Sequence, residues 1–320
     1  MTTATSFLTA ETRLGVLPTH STHEQLDDYG WSFELLPLIG LAVITLGYAA
    51  LVVAARRRGR PVATGRILLF AAGLATIAVA LFSPIDPYGE EQSPAVHMIQ
   101  HEMLLMIAPL LLVAGLEQRL VMPITRLVLR PIRSDSTAGG LWRQFLQLIG
   151  NPWFAASAWS LITLGWHLPV MYNLSLANRT VHNIEHLSLM AVGTLFWVVL
   201  IGRLPSVHRT TTRERIGALA LAMGVGGIMG AAFIWWPRLL YTGYLDARPW
   251  FGLSPWDDQR LAGIIMMAVD MPLLLGAMLV IAGRWAHREI RLDDPPIDAS
   301  ITSANGTSTS KPMRRPSHHA

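Results

Sequence analysis

Two short stretches carry the residue types that could do chemistry: His97-Met98-Ile99-Gln100-His101 and His182-Asn183-Ile184-Glu185-His186. Both read H-x-I-[QE]-H. Residues four apart on an α-helix differ by about 40° of rotation and about 6 Å of rise, so each pair of imidazoles shares one face. The polar residue before the second histidine lies about 60° to one side, where Gln100 and Glu185 can orient an imidazole N–H from behind. With His167 the set has five imidazoles. Imidazole suits copper, zinc, iron and nickel, and three or four of them hold an ion without thiolate or carboxylate. The competing reading is polar glue between helices. His182-x-x-Glu185-His186 also matches the inverted zinc-protease pattern, in which the glutamate is general base on a metal-bound water.

The elements that must position these residues are apolar helices. Of 320 residues, 52% are hydrophobic and 14% charged, against about 25% charged in soluble domains. The chain has no cysteine, which excludes disulfides, thiolate metal sites and CxxC redox chemistry. The net charge of +4 comes from basic residues in short loops between apolar runs, so it is no nucleic-acid signal.

Seven runs are long enough to span a bilayer, near Leu35–Ala54, Arg66–Ser83, Ala95–Gly115, Pro152–Met171, His182–Ile201, Arg215–Trp236 and Leu261–Gly283. The fold expected is all-α, a polytopic membrane bundle of seven transmembrane helices. Asn151 and Pro152 suit a helix start, and Gly226 and Gly230 form a GxxxG that allows close helix contact. Alternate loops hold the cations: Arg56 to Arg60; Arg119, Arg126, Arg130, Arg133 and Arg143; Arg203, Arg209 and Arg213; and Arg284 onward. The other loops hold Asp86, Glu90, Glu91, Asp246, Asp257 and Asp258. Basic loops stay inside, so the N-terminus is expected outside and the C-terminus inside. Residues 1–30 read as a flexible outer segment, 31–290 as the transmembrane domain and 291–320 as a disordered cytoplasmic tail. Between Leu116 and Gly150, Leu120, Ile124, Leu127 and Val128 lie opposite arginines, as in an interfacial helix; a flexible linker is the alternative.

On this topology His97 and His101 open span three, His167 ends span four, and His182 and His186 open span five. All five fall in one layer at the outer face, whereas the other six histidines lie in tails or inner loops. Met98 and Met171 are candidate soft ligands at that face. Bis-histidine haem is another candidate, although its ligands usually sit deeper in the bilayer. Asp270, deep in span seven and two residues before Pro272, is a candidate intramembrane relay with Glu102, or a protonated carboxyl bonded to backbone freed at the proline.

The blocks HMIQHEMLLMIAPLLLVAG, HLPVMYNLSLANRTVHNIEHLSLMAVGTLFW and DDQRLAGIIMM, in that order, resemble the multi-span CtaG family of bacterial cytochrome c oxidase assembly proteins over roughly residues 35–285. The resemblance implies a bacterial plasma-membrane assembly factor rather than an enzyme, with membrane lipid and cytochrome c oxidase subunits as partners. Copper is the implied cargo, ahead of zinc or haem. It carries over to His97, His101, His167, His182 and His186, and to Asp258 and Gln259 in the last block.

Overall fold

The computed structural model describes residues 29–133, 136–202, 208–249 and 252–293, and every element among them is helical. The expected outer segment and tail lie almost wholly outside the described residues, as do His20, His23, His318 and His319. Six helices are long and apolar enough to cross a membrane: α1 (Leu35–Arg57), α2 (Thr64–Phe82), α4 (Pro94–Gly115), α9 (Arg179–Ile201), α10 (Thr212–Trp235) and α11, whose apolar stretch runs Pro255–His287. The short α3 (Ile85–Gln92) precedes α4.

The run read as a single span from Pro152 to Met171 is broken. It forms α7 (Pro152–His167) and α8 (Pro169–Ala177), with Leu168 extended between them. Proline disfavours the helical region for the residue before it, so Pro169 ends the helix. The 16 residues of α7 reach about 24 Å, against a hydrocarbon core of about 30 Å. The stretch after α4 is also more ordered than a linker. It holds α5 (Gln118–Leu129) and a second helix, α6 (Thr137–Ile149), with a 3-10 turn between them at Arg130–Arg133.

Four helix starts are written locally. Ser93 accepts from Val96 N ahead of Pro94, Asn151 from Trp153 N and Phe154 N ahead of Pro152, and Asn178 from Thr180 N and Val181 N. Thr211 and Glu214 complete a capping box on α10. These caps satisfy amides that lipid could not.

The bundle is built around α4. Its His97, Gln100, His101, Glu102, Leu104, Leu105 and Met106 are all buried, and it packs against α2, α3, α9 and α11. The surrounding helices turn large aliphatic side chains outward, among them Leu46, Leu68, Leu187 and Ile228, as lipid-facing helices do. Midway, Met103–Ile107 forms a π-turn, the kind of bulge that leaves carbonyls out of the regular ladder. Trp197 Nε1 on α9 donates to Met106 O at 3.1 Å. A Cβ on Gly193 would stand 2.1 Å from Leu105 O, so α9 meets the π-turn backbone to backbone. The GxxxG of α10 has a similar use, since a Cβ on Gly230 would meet Met267 Cγ of α11 at 2.5 Å.

Gly193→Ala should therefore force α4 and α9 apart and cost about 1–3 kcal/mol, the usual penalty of overpacking. Gly224→Ala, whose added Cβ meets nothing within 4 Å, should hold stability or raise it by up to about 1 kcal/mol, because glycine is the poorer residue in a helix interior. Thermal unfolding in detergent reads the difference, and equal midpoints for the two variants would remove the close contact from the account.

Candidate metal centre

Three helix ends converge to build the site. Pro94 starts α4 so that His97 and His101 lie in its first two turns, and α9 starts at Arg179 so that His182 and His186 do the same. The break at Leu168 leaves His167 on the last turn of α7. The last helix ties the first of these ends in place: Asp258 accepts from Ser93 Oγ at 2.8 Å and from Ala95 N at 3.0 Å. Gln259 beside it accepts from Leu240 N at 2.7 Å and so holds the loop that follows α10.

The five rings meet. Centroids lie 4.4 Å apart for His97 and His101, 4.1 Å for His182 and His186, and 5.3 Å for His97 and His182. His101 lies 5.8 Å from His186 and 5.6 Å from His167. One donor atom from each of His97, His182 and His186 falls within 4.8 Å of the others; the same holds for His97, His101 and Glu185. His97 belongs to both groups. His167 belongs to neither and joins the set through His101.

All five histidines are buried. Six of their ring nitrogens have no hydrogen-bond partner among the described residues: both of His101 and Nε2 of His97, His167, His182 and His186. Glu185 Oε1 is likewise unpartnered, 3.5 Å from His101 Nε2, while its Oε2 accepts from Ser175. Leaving a buried polar atom unmet costs about 1–3 kcal/mol. A cation among these atoms would meet several of them at once, so the donor set fits a borderline or soft ion.

The surrounding hydrogen bonds decide which nitrogen each ring offers. Tyr244 Oη donates to Gly89 O at 2.7 Å and so accepts from His97 Nδ1 at 3.1 Å. Burial pushes the Tyr244 phenol up, which keeps that proton in place. His167 Nδ1 donates to Thr163 O at 2.7 Å. Both arrangements put the ring proton on Nδ1 and leave Nε2 as the free lone pair. His182 is contested. Its Nδ1 lies 3.0 Å from Arg179 Nη1, which can only donate, and 3.4 Å from Glu90 Oε2, which can accept. The first contact places the ring proton on Nε2; the second frees Nε2 to bind.

Arg179 sits in a cage of carboxylates above this layer. It pairs with Asp86 at 2.6 Å, with Glu90 at 2.7 Å and with Glu34. Burial pushes the Glu90 carboxyl up, against the pull of the guanidinium. Gln100 touches no histidine in this arrangement. Its Nε2 donates to Ala80 O at 2.9 Å and to Asp86 Oδ1 at 2.6 Å, because its side of α4 faces α2 and α3. Its influence on the rings runs through Asp86 and Arg179.

Glu102 turns away from the rings toward Asp270 of α11, and both carboxyls are buried. Glu102 Oε2 and both Asp270 oxygens have no donor among the described residues, so the two acids meet stably only with a proton or cation between them. Gly226 makes room for Asp270, since a Cβ there would stand 3.1 Å from Oδ2. Met98 is buried against Met229 and Met266, whereas Met171 is 38% exposed on α8 and turned outward. Sequence reasoning missed Tyr172, Tyr244 and Arg179. Arg179 lies three residues before His182 and so on its face, a usable signal; the tyrosines carried none. The Tyr172 ring packs 5.1 Å from His97 and stacks on Tyr241 at 3.7 Å.

The fold and site together define a polytopic helical membrane protein with a buried histidine layer near one end of the bundle. Residues 46–288 match the family of cytochrome c oxidase caa3 assembly factors, Caa3_CtaG, and the chain belongs to that family. It is similar to uncharacterized proteins of Mycobacterium bovis and Mycobacterium tuberculosis, each 28% identical over 276 residues, and to one of Mycobacterium leprae, 22% identical over 278 residues. Each alignment covers 82% of this chain and 40% of the relative, so the chain spans well under half the length of these proteins. No solved structure matches it.

Tyr244→Phe removes the acceptor that holds His97 Nδ1–H. It should weaken an ion bound through His97 by about 10–100-fold, the usual cost of losing such a partner, with helix content unchanged. Chelator competition measures the change, and an unaltered affinity would show that Tyr244 does not orient the ring.

Proposed function

We propose that this chain is a plasma-membrane assembly factor that holds copper for a maturing cytochrome c oxidase and acts by binding, not by turnover. The observation that carries this reading is the set of five buried, neighbouring imidazoles, four of which bring donor atoms within 4.8 Å of one another in two groups that share His97. The family's description as caa3 oxidase assembly factors supports the oxidase as client. Copper is favoured because the client is a haem–copper enzyme and the donors are imidazoles, with thioethers nearby and no thiolate. Edge-to-face packing of the rings disfavours haem. His97, His182 and His186 are the first candidate set; His97 and His101 with Glu185 form a second, overlapping one. The shared ligand would let an ion pass between sets without leaving all its ligands at once.

We further propose seven crossings, with the N-terminus outside and the histidine layer at the outer face. Alternate loops are basic, as a seven-crossing chain requires. The His167 end of α7 meets the starts of α4 and α9, so α7 runs antiparallel to both and supplies a short seventh crossing. Local bilayer thinning or α8 can absorb the missing length. The expected partition into residues 1–30, 31–290 and 291–320 belongs to the same proposal.

The test is copper content of the purified protein by mass spectrometry, paired with oxidase activity in cells. His97→Ala touches both ligand sets and should lose at least nine-tenths of the copper and most oxidase activity. His167→Ala should lose less. Equal copper in wild type and His97→Ala would remove the ligand assignment, and full oxidase activity in His97→Ala would remove the assembly role of the site. Glu185 Oε1, unpartnered beside His101, keeps a zinc hydrolase as the second reading. For that enzyme Glu185→Gln would retain metal and lose only turnover. For copper holding, that variant should lower metal affinity.

A further inference from the structure

A groove of about 620 Å³ opens at the opposite end of the bundle, between α4, α9, α10 and α11. Along α11 it is lined at positions 272, 273, 276, 277, 280, 281, 284 and 285. That four-residue rhythm is one stripe of the helix, about 20 Å long. For three turns the stripe is apolar, through Leu273, Ala277 and Ile281. It then ends on Arg284 and Trp285, which stand across from Thr212 and Arg215 at the start of α10. Gly276 adds width because it has no side chain, and a Cβ there would meet nothing within 4 Å.

A slot that is aliphatic along its length and carries two guanidinium groups and a hydroxyl at one end has the shape and charge of a phospholipid. Arginine pairs with phosphate oxygens through a planar fork of donors. Basic pockets between membrane helices bind anionic headgroups, and tryptophan favours the headgroup level. A free phosphate would leave the apolar stripe unused, and a zwitterionic lipid would bring its own cation to the arginines. We infer that this groove is a binding site for one anionic phospholipid, its acyl chain along α11 and its phosphate between Arg215 and Arg284. The site is separate from the histidine layer and independent of what that layer holds.

The full chain in detergent is the material. Native mass spectrometry counts retained lipid, and thermal unfolding is followed with added phosphatidylglycerol, phosphatidylcholine or inorganic phosphate. Wild type should retain one phosphatidylglycerol and gain stability from it at least tenfold more effectively than from phosphatidylcholine, with no gain from phosphate. Arg284→Gln should lose that preference. Ala277→Phe, which fills the slot without changing charge, should lose retention of both lipids. If Ala277→Phe unfolds, Gly276→Leu serves the same purpose on the open side of the stripe. Retention unchanged in Arg284→Gln and the slot-filling variant, no preference for phosphatidylglycerol, or equal stabilisation by inorganic phosphate would each overturn the assignment.

Discussion

A ring nitrogen taken out of water must be met by a hydrogen-bond partner or an ion, and among the described residues this bundle leaves six of them, on five neighbouring rings, unmet. That constraint orders what surrounds it. Tyr244 and the Thr163 carbonyl fix the proton on Nδ1 of His97 and His167, so Nε2 is the nitrogen each ring leaves without a partner among the described residues. Arg179 is held by three carboxylates immediately above the layer. Arginine keeps its charge at any relevant pH, so the cage keeps a fixed cation next to His182 Nδ1. Whether His182 offers its inner nitrogen turns on a choice between Arg179 and Glu90 at similar range. The layer thus holds two rings whose protons are fixed by neighbouring acceptors and one, His182, whose proton is set by an ion-pair network.

The lower half of the bundle obeys a different rule. Below the histidines the core is Leu105, Met106, Trp159, Phe196 and Leu219, and α4 and α9 approach at Gly193, beside the hydrogen bond from Trp197 to the Met106 carbonyl. The π-turn at Met103–Ile107 is the joint between the two regimes. α4 faces α9 on both sides of it, through His97 and His101 above and through Leu105 and Pro109 at Gly193 below. Glu102 and Asp270 sit just above this joint, a polar pair beside an apolar core.

Much of this was legible in the residues. The two H-x-I-[QE]-H blocks named four of the five rings, and helical spacing put each pair on one face. His167 entered through topology, from the alternation of basic loops. Six of the seven apolar runs are membrane-length helices. The seventh was overread because hydropathy continues through Leu168 and Pro169, while the backbone restriction imposed by proline does not register in hydropathy. Gln100 was placed by angle correctly but given the wrong neighbour, because the angle does not say which helix lies on that side. The tyrosines were unreadable for a related reason. Tyr172 comes from the short helix α8 and Tyr244 from the loop before α11, and only the tertiary packing brings them to His97.

The carboxylate of Asp258 ties the start of α11 to the start of α4, two points separated by most of the polypeptide. During synthesis all five histidines are in the membrane long before α11 leaves the ribosome. Until it does, Ser93 Oγ and Ala95 N lack their acceptor and the entry of α4 is unpinned. The start of α4 therefore waits on the final helix for its anchor, so a chain cut off early would carry every imidazole with the entry that holds His97 and His101 untied.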